Sequence, residues 1–574
     1  MLTPLQHTLA LLFVPALAAI AEAQCEVEAL VGPGAGPDGA GRGVALSLDE
    51  AFLGALTSDI AGTGVGAVFH YDRHGLDWQL AGSLVPSAPD HVRAFGVVLD
   101  VDGDTLAVGA YQSTVGGVAA GSVLIFRRGA TGWVETQELF ASDAHDAQEF
   151  GFALDLDGGR LVVGAHRDHV AGPFTGAVYV FEDSGGTFVQ TAKLLASDAS
   201  NFASFGNAVA VQGERIVVTA HGANGLIFMD GAAYVFEHLG VGWTETAKLV
   251  PDLATIHNAF GHDVALDGHE ILIGASRLSV AGIDDGAVFA FERFANGWAQ
   301  TQRITAPDAD DFDFFGGTLV LGDGRLFVSA TGNDDVGPSS GNVYVFERTA
   351  MGWETMGDLI PTTGQPFDGF GFALATSGPL VLAGTPIGLT GNGGGVIFGA
   401  GEDCNGNGEI DVCDIQAGAA TDANDNLIPD ACEACLAVAY CSSALNGAGT
   451  EARIDYAGSL SVATGDFTLV TTGATALQPG LFLYGEGQTQ LPFGGGFLCV
   501  DGGVPNGRVF RLDVITTDAA GIATYTVEFA SPPSLAGTIL GGSEWNFQFW
   551  YRDPAGPTGS SFNLSDGLAV RFCN

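Results

Sequence analysis

Residues 403–414 have the residue types and the spacing of a calcium-binding loop. Ca²⁺ takes six or more oxygen ligands, and a 12-residue loop supplies them from positions 1, 3, 5, 7, 9 and 12 around a glycine at position 6. Gly408 stands at position 6, and position 7 offers a backbone carbonyl. The predicted ligands are Asp403, Asn405, Asn407, Glu409, Asp411 and Asp414.

A second loop of the same kind begins 19 residues later, at Asp422. Its position 6 is Leu427 instead of glycine, which predicts a weaker or distorted site. Its predicted ligands are Asp422, Asn424, Asn426, Ile428 (carbonyl), Asp430 and Glu433. The pair resembles dockerin-type and thrombospondin type 3 calcium repeats, and Asn at two ligand positions of each loop predicts a Kd on the order of 10⁻⁴–10⁻³ M. The alternative is an Asn/Asp-rich turn, joined by Cys, that holds no metal.

A Phe-Gly pair recurs every 55 residues in the chain that precedes these loops. The pairs begin at Phe95, Phe150, Phe205, Phe260, Phe315 and Phe370, and a degenerate seventh copy has Arg42-Gly43 in this place. Each copy has four short apolar runs separated by Asp-Gly and Gly-rich turns, with no helical period. Four strands per copy in seven copies predict an all-β fold with a seven-bladed β-propeller. A linear β-solenoid is the alternative.

The last copy stops after its third strand, which raises the question of how such a ring would close. The run Val27-Glu28-Ala29-Leu30 has the register of the missing fourth strand, so we expect an N-terminal strand to complete the seventh blade and remove an exposed edge. In a complete copy, Trp133 follows Phe126 by seven residues across the turn between the third and fourth strands. The same spacing after Phe398 places Cys404 in that turn, where it would face Cys25. We therefore predict a Cys25–Cys404 disulfide, with Cys404 bonded to Cys413 or Cys432 as the competing pairing.

The Phe-Gly copies resemble the FG-GAP repeats of bacterial extracellular proteins, which are relatives of the integrin α-chain propeller. The resemblance implies a propeller used for binding and adhesion rather than for catalysis. Calcium-binding copies of that family carry Asp-x-Asp-x-Asp-Gly-x-x-Asp, whereas this propeller has only fragments such as Asp100, Asp102 and Gly103. We interpret those fragments as hairpin turns that require a positive φ.

One rim of such a propeller would hold all the variable loops, including 112–120, 166–175, 224–230 and 277–285. Variable loops on a constant scaffold are where recognition usually occurs. Six carboxylates there predict binding of a cation or a basic ligand, and a solvated acidic rim is the alternative. These residues are Asp308, Asp310, Asp311, Asp313, Asp334 and Asp335.

After residue 435 the repeat ends and alternating runs broken by Gly and Pro predict a C-terminal β-sandwich over residues 436–574. Alternate residues of 545–551 are aromatic and indicate core packing, with a sugar-stacking platform as the alternative. Trp550 lies on the opposite face with Asn546, Gln548 and Arg552, a mix that is more typical of a carbohydrate surface. The segment through 562–573 resembles a C-terminal domain of secreted planctomycete proteins, which implies no function. The predicted domains are a signal peptide at 1–23, the propeller at 24–400, the calcium linker at 401–435 and the sandwich.

Composition and the N-terminus bear on compartment and partners. The apolar run 9–20 before Ala21-Glu22-Ala23 predicts a cleaved signal peptide, and no later segment is long enough for a membrane span. A formal net charge of −46 disfavours nucleic acid and anionic lipid surfaces. Eight Cys in an exported chain indicate disulfides. Catalytic motifs are weak. A Gly-x-Ser-x-Gly motif, typical of a nucleophile elbow, occurs at residues 337–341, but no helix is predicted after it.

The sequence therefore predicts a secreted or cell-surface protein that is not an enzyme, takes Ca²⁺ and recognises an extracellular glycan or protein through one propeller rim. A structural component of the cell surface or matrix is the first alternative. A polysaccharide-active enzyme with a dispersed site on the propeller face is the second.

Overall fold

The computed structural model describes residues 25–574, apart from residues 33–38, 131, 170, 226–229, 241, 253–258, 295–296, 323, 350–351, 389–392, 402–408, 423–425, 430–435, 461, 463–464, 486, 502–507, 530–536, 540–542, 557–560 and 573–574. The fold is all-β, as predicted; the described helices are α1 (Asp411–Gln416) and one 3-10 helical turn (Pro89–His91). None of the helices in the described residues is long and apolar enough to cross a membrane. The predicted signal peptide lies outside the described residues. The chain divides into two compact units, Met1–Cys413 and Asp414–Asn574.

The first unit contains seven four-stranded antiparallel sheets. Strand β1 (Glu26–Val31) belongs to sheet 7. Sheet 1 contains β2 (Ala40–Leu46), β3 (Glu50–Ala55), β4 (Ala67–His74) and β5 (Asp77–Leu84). Sheet 2 contains β6 (Leu99–Asp102) and β7 (Thr105–Ala110), then, beyond the separate hairpin β8 (Thr114–Val115) and β9 (Val118–Ala119), β10 (Ser122–Gly129) and β11 (Gly132–Leu139). Sheet 3 contains β12 (Ala153–Asp157), β13 (Arg160–Ala165), β14 (Ala177–Asp183) and β15 (Phe188–Leu194).

The remaining sheets of this unit repeat the same order. Sheet 4 contains β16 (Val209–Gln212), β17 (Arg215–Ala220), β18 (Ala232–His238) and β19 (Trp243–Leu249). Sheet 5 contains β20 (Phe260–Asp267), β21 (Glu270–Ala275), β22 (Ala287–Phe294) and β23 (Gly297–Ile304). Sheet 6 contains β24 (Leu319–Gly322), β25 (Arg325–Ala330), β26 (Asn342–Thr349) and β27 (Gly352–Leu359). Sheet 7 contains β28 (Leu374–Ser377), β29 (Leu380–Thr385) and β30 (Gly394–Gly399), followed by β1 at its outer edge.

The Phe-Gly pair recurs because each of its two residues fills a fixed place between neighbouring sheets. Phe150 is fully buried in a core built from strands of sheets 2 and 3. Gly151 has φ +88°, a conformation that L side chains rarely adopt. Its carbonyl oxygen would lie 2.3 Å from a Cβ at Gly109 of the preceding sheet, so Gly109 must also lack a side chain. Close approach of two backbones therefore explains glycine at both positions.

Strand β1 completes sheet 7, as the sequence predicts. It pairs antiparallel with β30, from Glu26 opposite Phe398 to Val31 opposite Gly394. The Glu26 carboxylate also accepts the N–H of Thr362 at 2.6 Å. Glu135, on the outermost strand of sheet 2, accepts the N–H of Ser87 in the same way. An N-terminal segment thus takes the structural role that a fourth strand has in the other sheets.

Carboxylates on the innermost strands join one sheet to the next. Asp100 accepts the N–H of Leu156, and Asp155 accepts the N–H of Val211, at 2.7 and 2.5 Å. Each innermost strand contacts the next along the chain, and β2 also contacts β28, β29 and β30. The innermost strands of six sheets surround a cavity of about 350 Å³, lined in part by Asp100, Asp155 and Asp263. The Asp-Gly turns do use a positive φ, at Gly103 for example (+53°), as predicted.

The predicted Cys25–Cys404 disulfide is wrong, because Cys25 is bonded to Cys413. Cys404 lies outside the described residues. The partner comes from a segment that returns to sheet 7 after residue 408: Ile410 and Val412 are buried, and each would lie 3.1 Å from a Cβ at Gly399. This return brings Cys413, rather than a residue of the turn after Phe398, to the N-terminal end of β1. The bond still joins the N-terminal strand to the segment after β30, which is the kind of closure that the prediction proposed.

The residues described in the second unit form two larger sheets and one hairpin. The six-stranded sheet contains β31 (Leu436–Tyr440), β34 (Pro479–Gly485), β37 (Phe510–Arg511), β38 (Ile515–Thr516), β40 (Glu544–Arg552) and β41 (Phe562–Arg571). The three-stranded sheet contains β32 (Arg453–Ala457), β33 (Thr468–Thr472) and β39 (Ala523–Thr526). The hairpin contains β35 (Gly487–Phe493) and β36 (Gly496–Asp501), and a disulfide joins Cys441 to Cys499.

The aromatic strand 545–551 forms part of the core of this unit. Its alternate aromatic side chains are at most 4% exposed and pack with residues of the three-stranded sheet, so core packing is confirmed and the sugar-stacking platform is wrong. The opposite face, which the sequence likens to a carbohydrate surface, is closed only in part: Arg552 is exposed and Trp550 is half-buried. Asn546 and Gln548 are buried, and the Gln548 amide donates to the carbonyls of Phe497 and Ser565. Trp550 packs its ring on Phe562.

Candidate functional site

The loops that link strands 2 and 3 of each sheet lie at the same end of the first unit as the loops that lead into the next sheet. This follows from the antiparallel order of the strands, and we call this end the variable rim. Hydrogen bonds fasten the two kinds of loop together. Phe202 N–H donates to the carbonyl of Pro173, and Phe312 N–H to that of Ile283, at 2.8 and 2.7 Å. Phe367 N–H bonds the Pro338 carbonyl in the same way at 2.8 Å.

Three phenylalanines on this rim that precede a Phe-Gly pair are both exposed and held in a left-handed backbone conformation; Phe174 shares both properties, at 38% exposure and φ +48°. Phe202, Phe312 and Phe367 are 54%, 50% and 60% exposed. Their φ angles are +65°, +70° and +68°, which L side chains other than Asn and Asp rarely adopt. Each stands three residues before a Phe-Gly pair, and each has its N–H bonded to the preceding sheet. Strained, exposed aromatic residues of this kind mark candidate recognition surfaces.

The structure brings the predicted acidic residues of the rim together around sheet 6. Asp313 is buried, and Asp308, Asp310 and Asp334 lie close enough to raise its pKa by repulsion. Burial raises the pKa of Tyr344, and the nearby carboxylates of Asp308 and Asp335 raise it further. Asp308, Asp310, Asp311, Asp334 and Asp335 are exposed.

Two members of the set also have a structural role. Asp311 Oδ1 accepts the N–H of Ile283 at 2.7 Å, and Asp313 Oδ2 accepts the N–H of Asp310 at 2.8 Å. Burial raises the pKa of Asp313 to about 6, and the neighbouring carboxylates add to this rise against the lowering effect of the Asp310 N–H. Asp310, Asp334 and Asp335 are left as the carboxylates most available to a partner.

Sheets 3 and 4 neutralise the equivalent carboxylate with a lysine. In sheet 3, Asp143 accepts hydrogen bonds from Tyr179 Oη and Lys193 Nζ, both at 2.6 Å. The corresponding residues of sheet 4 are Asp198, Tyr234 and Lys248. These are the two lysines of the chain.

Sheet 6 keeps the tyrosine and the aspartate but loses the lysine. Tyr344 Oη donates to Asp308 at 2.7 Å, and the lysine position is occupied by Asp358, an exposed residue whose carboxylate accepts from Asn342. In the described part of the chain, no ion pair involves Asp308, Asp358 or the other carboxylates of the cluster. This part of the rim therefore carries negative charge without a cation of its own.

A polar cavity of about 410 Å³ opens on the same rim beside Phe202. His221, His262 and Arg277 line it, together with Asn207, whose amide donates to the carbonyls of Gly261 and His262. Burial, then the charges of His262 and Arg277, lower the pKa of His221 to about 4, so this ring is neutral at physiological pH.

The predicted calcium loops are described only in part. Asp403, Asn405, Asn407, Asn424, Asp430 and Glu433 lie outside the described residues. In the second loop, Asp422 accepts the N–H groups of Asn426 and Leu427 at 3.2 and 2.8 Å. Leu427 is buried and has φ +66°, the left-handed conformation that glycine takes at position 6 of such loops. Leu427 thus forms the positive-φ turn of this loop in place of glycine. In the first loop, Asp411 and Asp414 are buried and Glu409 is exposed.

The sequence analysis overlooked the exposed phenylalanines and the His221 cavity. The phenylalanines left a signal, since Phe recurs three residues before the Phe-Gly pair in three copies. The cavity left none, because its residues come from adjacent sheets and share no motif.

Comparison with known proteins connects the first unit to a repeat family. The model of the FG-GAP repeat matches residues 133–181, 188–236, 243–291 and 298–346. No curated protein matches the chain.

Two solved structures match parts of this chain at low sequence identity. One is a candidate 6-phosphogluconolactonase from Bacteroides fragilis, with 12% identity, a TM-score of 0.38 and coverage of 55% of this chain and 82% of that one. The other is a chain of the mitotic checkpoint complex, with 13% identity, a TM-score of 0.41 and coverage of 69% and 99%. The four repeat matches show that the first unit of this chain carries FG-GAP repeats.

Proposed function

We propose that the protein is an exported, non-enzymatic binding protein whose variable rim recognises a basic segment of an extracellular protein. In this proposal the seven sheets are the blades of one closed propeller, and the second unit is a β-sandwich. The contacts between successive innermost strands and the contact of β2 with sheet 7 support the closed ring. The Cys25–Cys413 and Cys441–Cys499 disulfides are compatible with an exported protein.

The observation that carries this function is the combination of uncompensated carboxylates with an exposed aromatic ring at the same place on the rim. Phe312 lies between Asp311 and Asp313 in the chain, and its ring is half exposed. A partner that presents Lys or Arg beside an apolar side chain would neutralise the cluster and cover the ring together. An anionic glycan would be repelled, which is why a basic protein segment is the better match of the two predicted ligand classes.

Neutralising the three available carboxylates should weaken this recognition. The variant Asp310→Asn/Asp334→Asn/Asp335→Asn keeps side-chain size and removes three negative charges, so we expect binding to a fluorescent peptide of alternating Lys and Leu to fall by about tenfold or more at low salt. Fluorescence anisotropy measures the affinity, and an array of extracellular proteins and glycans, with and without Ca²⁺, tests ligand class. Asp311 is kept because it holds the Ile283 N–H.

A matched control removes three exposed carboxylates from the opposite end of sheets 1 and 6. The variant Asp77→Asn/Glu347→Gln/Glu354→Gln changes net charge equally, and these residues lie in or beside the turns between strands 3 and 4. Equal loss of binding in the two variants would mean that the net charge of the protein, rather than the variable rim, determines peptide binding. Binding unchanged in the rim variant would contradict the proposal and favour a structural role for the propeller.

We also propose that residues 403–433 bind Ca²⁺. Millimolar Ca²⁺ should raise the melting temperature of the full chain, because a ligand that binds only the native state stabilises it. Asp403→Ala should remove most of this rise and Asp422→Ala less, since Leu427 replaces glycine in the second loop. Differential scanning calorimetry in Ca²⁺ and in chelator measures the shift. Identical melting curves in the two buffers would contradict calcium binding.

A further inference from the structure

A histidine interrupts the core of sheet 1 at a position that is apolar in every other sheet of the first unit. His70 lies in β4 opposite Phe52, and it is only 8% exposed. The residues at the same register of the other six sheets are buried and apolar: Ile125, Val180, Val235, Ala290, Val345 and Ile397. An imidazole in a core position is unfavourable unless its nitrogens have partners, so a departure from the repeat here indicates a role for the ring.

The Nε2 atom of His70 faces two carboxylates. It lies 3.0 Å from Glu50 Oε1 and 3.1 Å from Asp72 Oδ1. Glu50 and Asp72 stand directly opposite each other on β3 and β4, an arrangement of like charges that destabilises a sheet when nothing lies between them. Nε2 carries at most one hydrogen and cannot fully satisfy two carboxylate oxygens.

Further partners orient the Glu50 carboxylate from the neighbouring sheet. Trp133 Nε1 donates to Oε1 at 3.0 Å, and the Arg128 guanidinium bonds Oε2. Each oxygen keeps a second lone pair, so Oε1 can accept from Trp133 and still bind a cation on the side of His70. Outer partners of this kind hold a metal ligand in place.

Sheet 5 provides an internal comparison. Glu270 stands where Glu50 does, accepts the Nε1–H of Trp353 at 2.9 Å and contacts Arg348. Its sheet has Ala290 at the histidine position. The bond from carboxylate to tryptophan therefore belongs to the shared architecture of these sheets, whereas the imidazole is an addition of sheet 1.

We propose that Glu50, His70 and Asp72 bind a divalent transition metal ion, with Zn²⁺ as the best match. One imidazole nitrogen and two carboxylate oxygens within 4.8 Å of one another make a three-ligand set for Zn²⁺, and water would take the fourth position on the side of the 45% exposed Asp72. Ligands of a tetrahedral Zn²⁺ stand about 3.3 Å apart, close to the contacts that Nε2 makes. Ca²⁺ matches poorly, because it prefers six or more oxygens.

All three ligands lie in sheet 1, and the partners Trp133 and Arg128 that orient Glu50 come from sheet 2. The site lies at the end of the unit opposite the variable rim, so it is independent of the proposed recognition function.

The test uses the full chain, stripped with chelator and then saturated with Ca²⁺ so that the predicted calcium loops are occupied. Isothermal titration with Zn²⁺ should give one more equivalent in the parent than in His70→Val, and Co²⁺ should give the parent alone the visible absorption of a four-coordinate site. Zn²⁺ at 100 times its Kd should raise the parent's melting temperature by about 3 °C. His70→Val installs an apolar residue that other copies use, so it should fold without metal.

Asp72→Asn supplies a second variant that removes one ligand without changing core volume, and it should lose the same equivalent of Zn²⁺. His91→Gln is the control, because His91 Nε2 contacts the single carboxylate of Glu138 and should not contribute to the site. Equal Zn²⁺ stoichiometry and equal thermal shifts in the parent, His70→Val and Asp72→Asn would overturn the proposal.

Discussion

Removal of the Cys25–Cys413 disulfide should lower the melting temperature of the first unit by roughly 5 °C. The bond joins residues 388 positions apart, so in the unfolded chain it closes a very long loop and reduces the entropy of that state. A loop of this length corresponds to a stabilisation of about 5 kcal/mol in the chain-entropy account. The variant Cys25→Ala/Cys413→Ala avoids a free thiol, and differential scanning calorimetry measures its transition.

The same variant should loosen the outer edge of sheet 7 before the rest of the unit unfolds. Strand β1 is held by its ladder to β30, by the Glu26–Thr362 bond and by this disulfide. Hydrogen exchange at the β1 and β30 amides should therefore become faster, because strand separation no longer works against a covalent tether.

Removal of the other disulfide, Cys441–Cys499, supplies the control for this experiment. Its two cysteines lie in the second unit, so Cys441→Ala/Cys499→Ala should leave β1 exchange unchanged. An unaltered first-unit transition in Cys25→Ala/Cys413→Ala would contradict the role assigned to the bond.

Local pattern was sufficient to predict the strand order of the first unit because each copy repeats the same steric demands. The Phe-Gly pair needs a buried ring and a backbone with positive φ, and these demands are visible in one copy of the sequence. Strand β1 was predictable for the same reason, since its register matches that of a fourth strand. The partner of Cys25 was not, because it depends on how residues 410–413 return to Gly399.

The sequence also contains enough information to predict the charge difference between sheet 6 and sheets 3 and 4. Lys193 and Lys248 occupy the same position in successive repeats, 55 residues apart. The next two repeats have Arg303 and then Asp358 at this position. That alignment alone would have distinguished sheet 6 from sheets 3 and 4. The left-handed backbone of Phe312 could not have been predicted, because its N–H bonds the Ile283 carbonyl in a loop of the preceding sheet, a contact that local pattern does not reveal.

A pair of carboxyl groups on the inner strands of sheets 2 and 3 sets the background for a pH-dependent prediction. Asp100 and Asp155 both line the inner cavity, close enough for each carboxyl group to affect the pKa of the other. Burial, and then repulsion from Asp100, raise the pKa of Asp155 well above its usual range, while burial also raises that of Asp100. Folding therefore favours a proton on this pair. The stability that the proton supplies is full at acid pH and is lost as pH rises through the raised pKa of the folded state.

Asp155→Asn should consequently stabilise the first unit at pH 8, by about 1–3 kcal/mol. The amide oxygen can accept the Val211 N–H and the amide NH₂ can donate to Asp100, which reproduces the pattern of the protonated carboxyl without a titrating group. The gain over the parent should shrink as pH falls toward 4, because the parent then carries the proton itself. Melting temperatures of both proteins across this range measure the gain in stability.

The control is Asp157→Asn. Asp157 is a half-buried carboxylate that accepts the N–H of Gly213 in the matching way, and its replacement should change stability little. A difference between Asp155→Asn and the parent that is independent of pH would show that Asp155 titrates alike in the folded and unfolded chain.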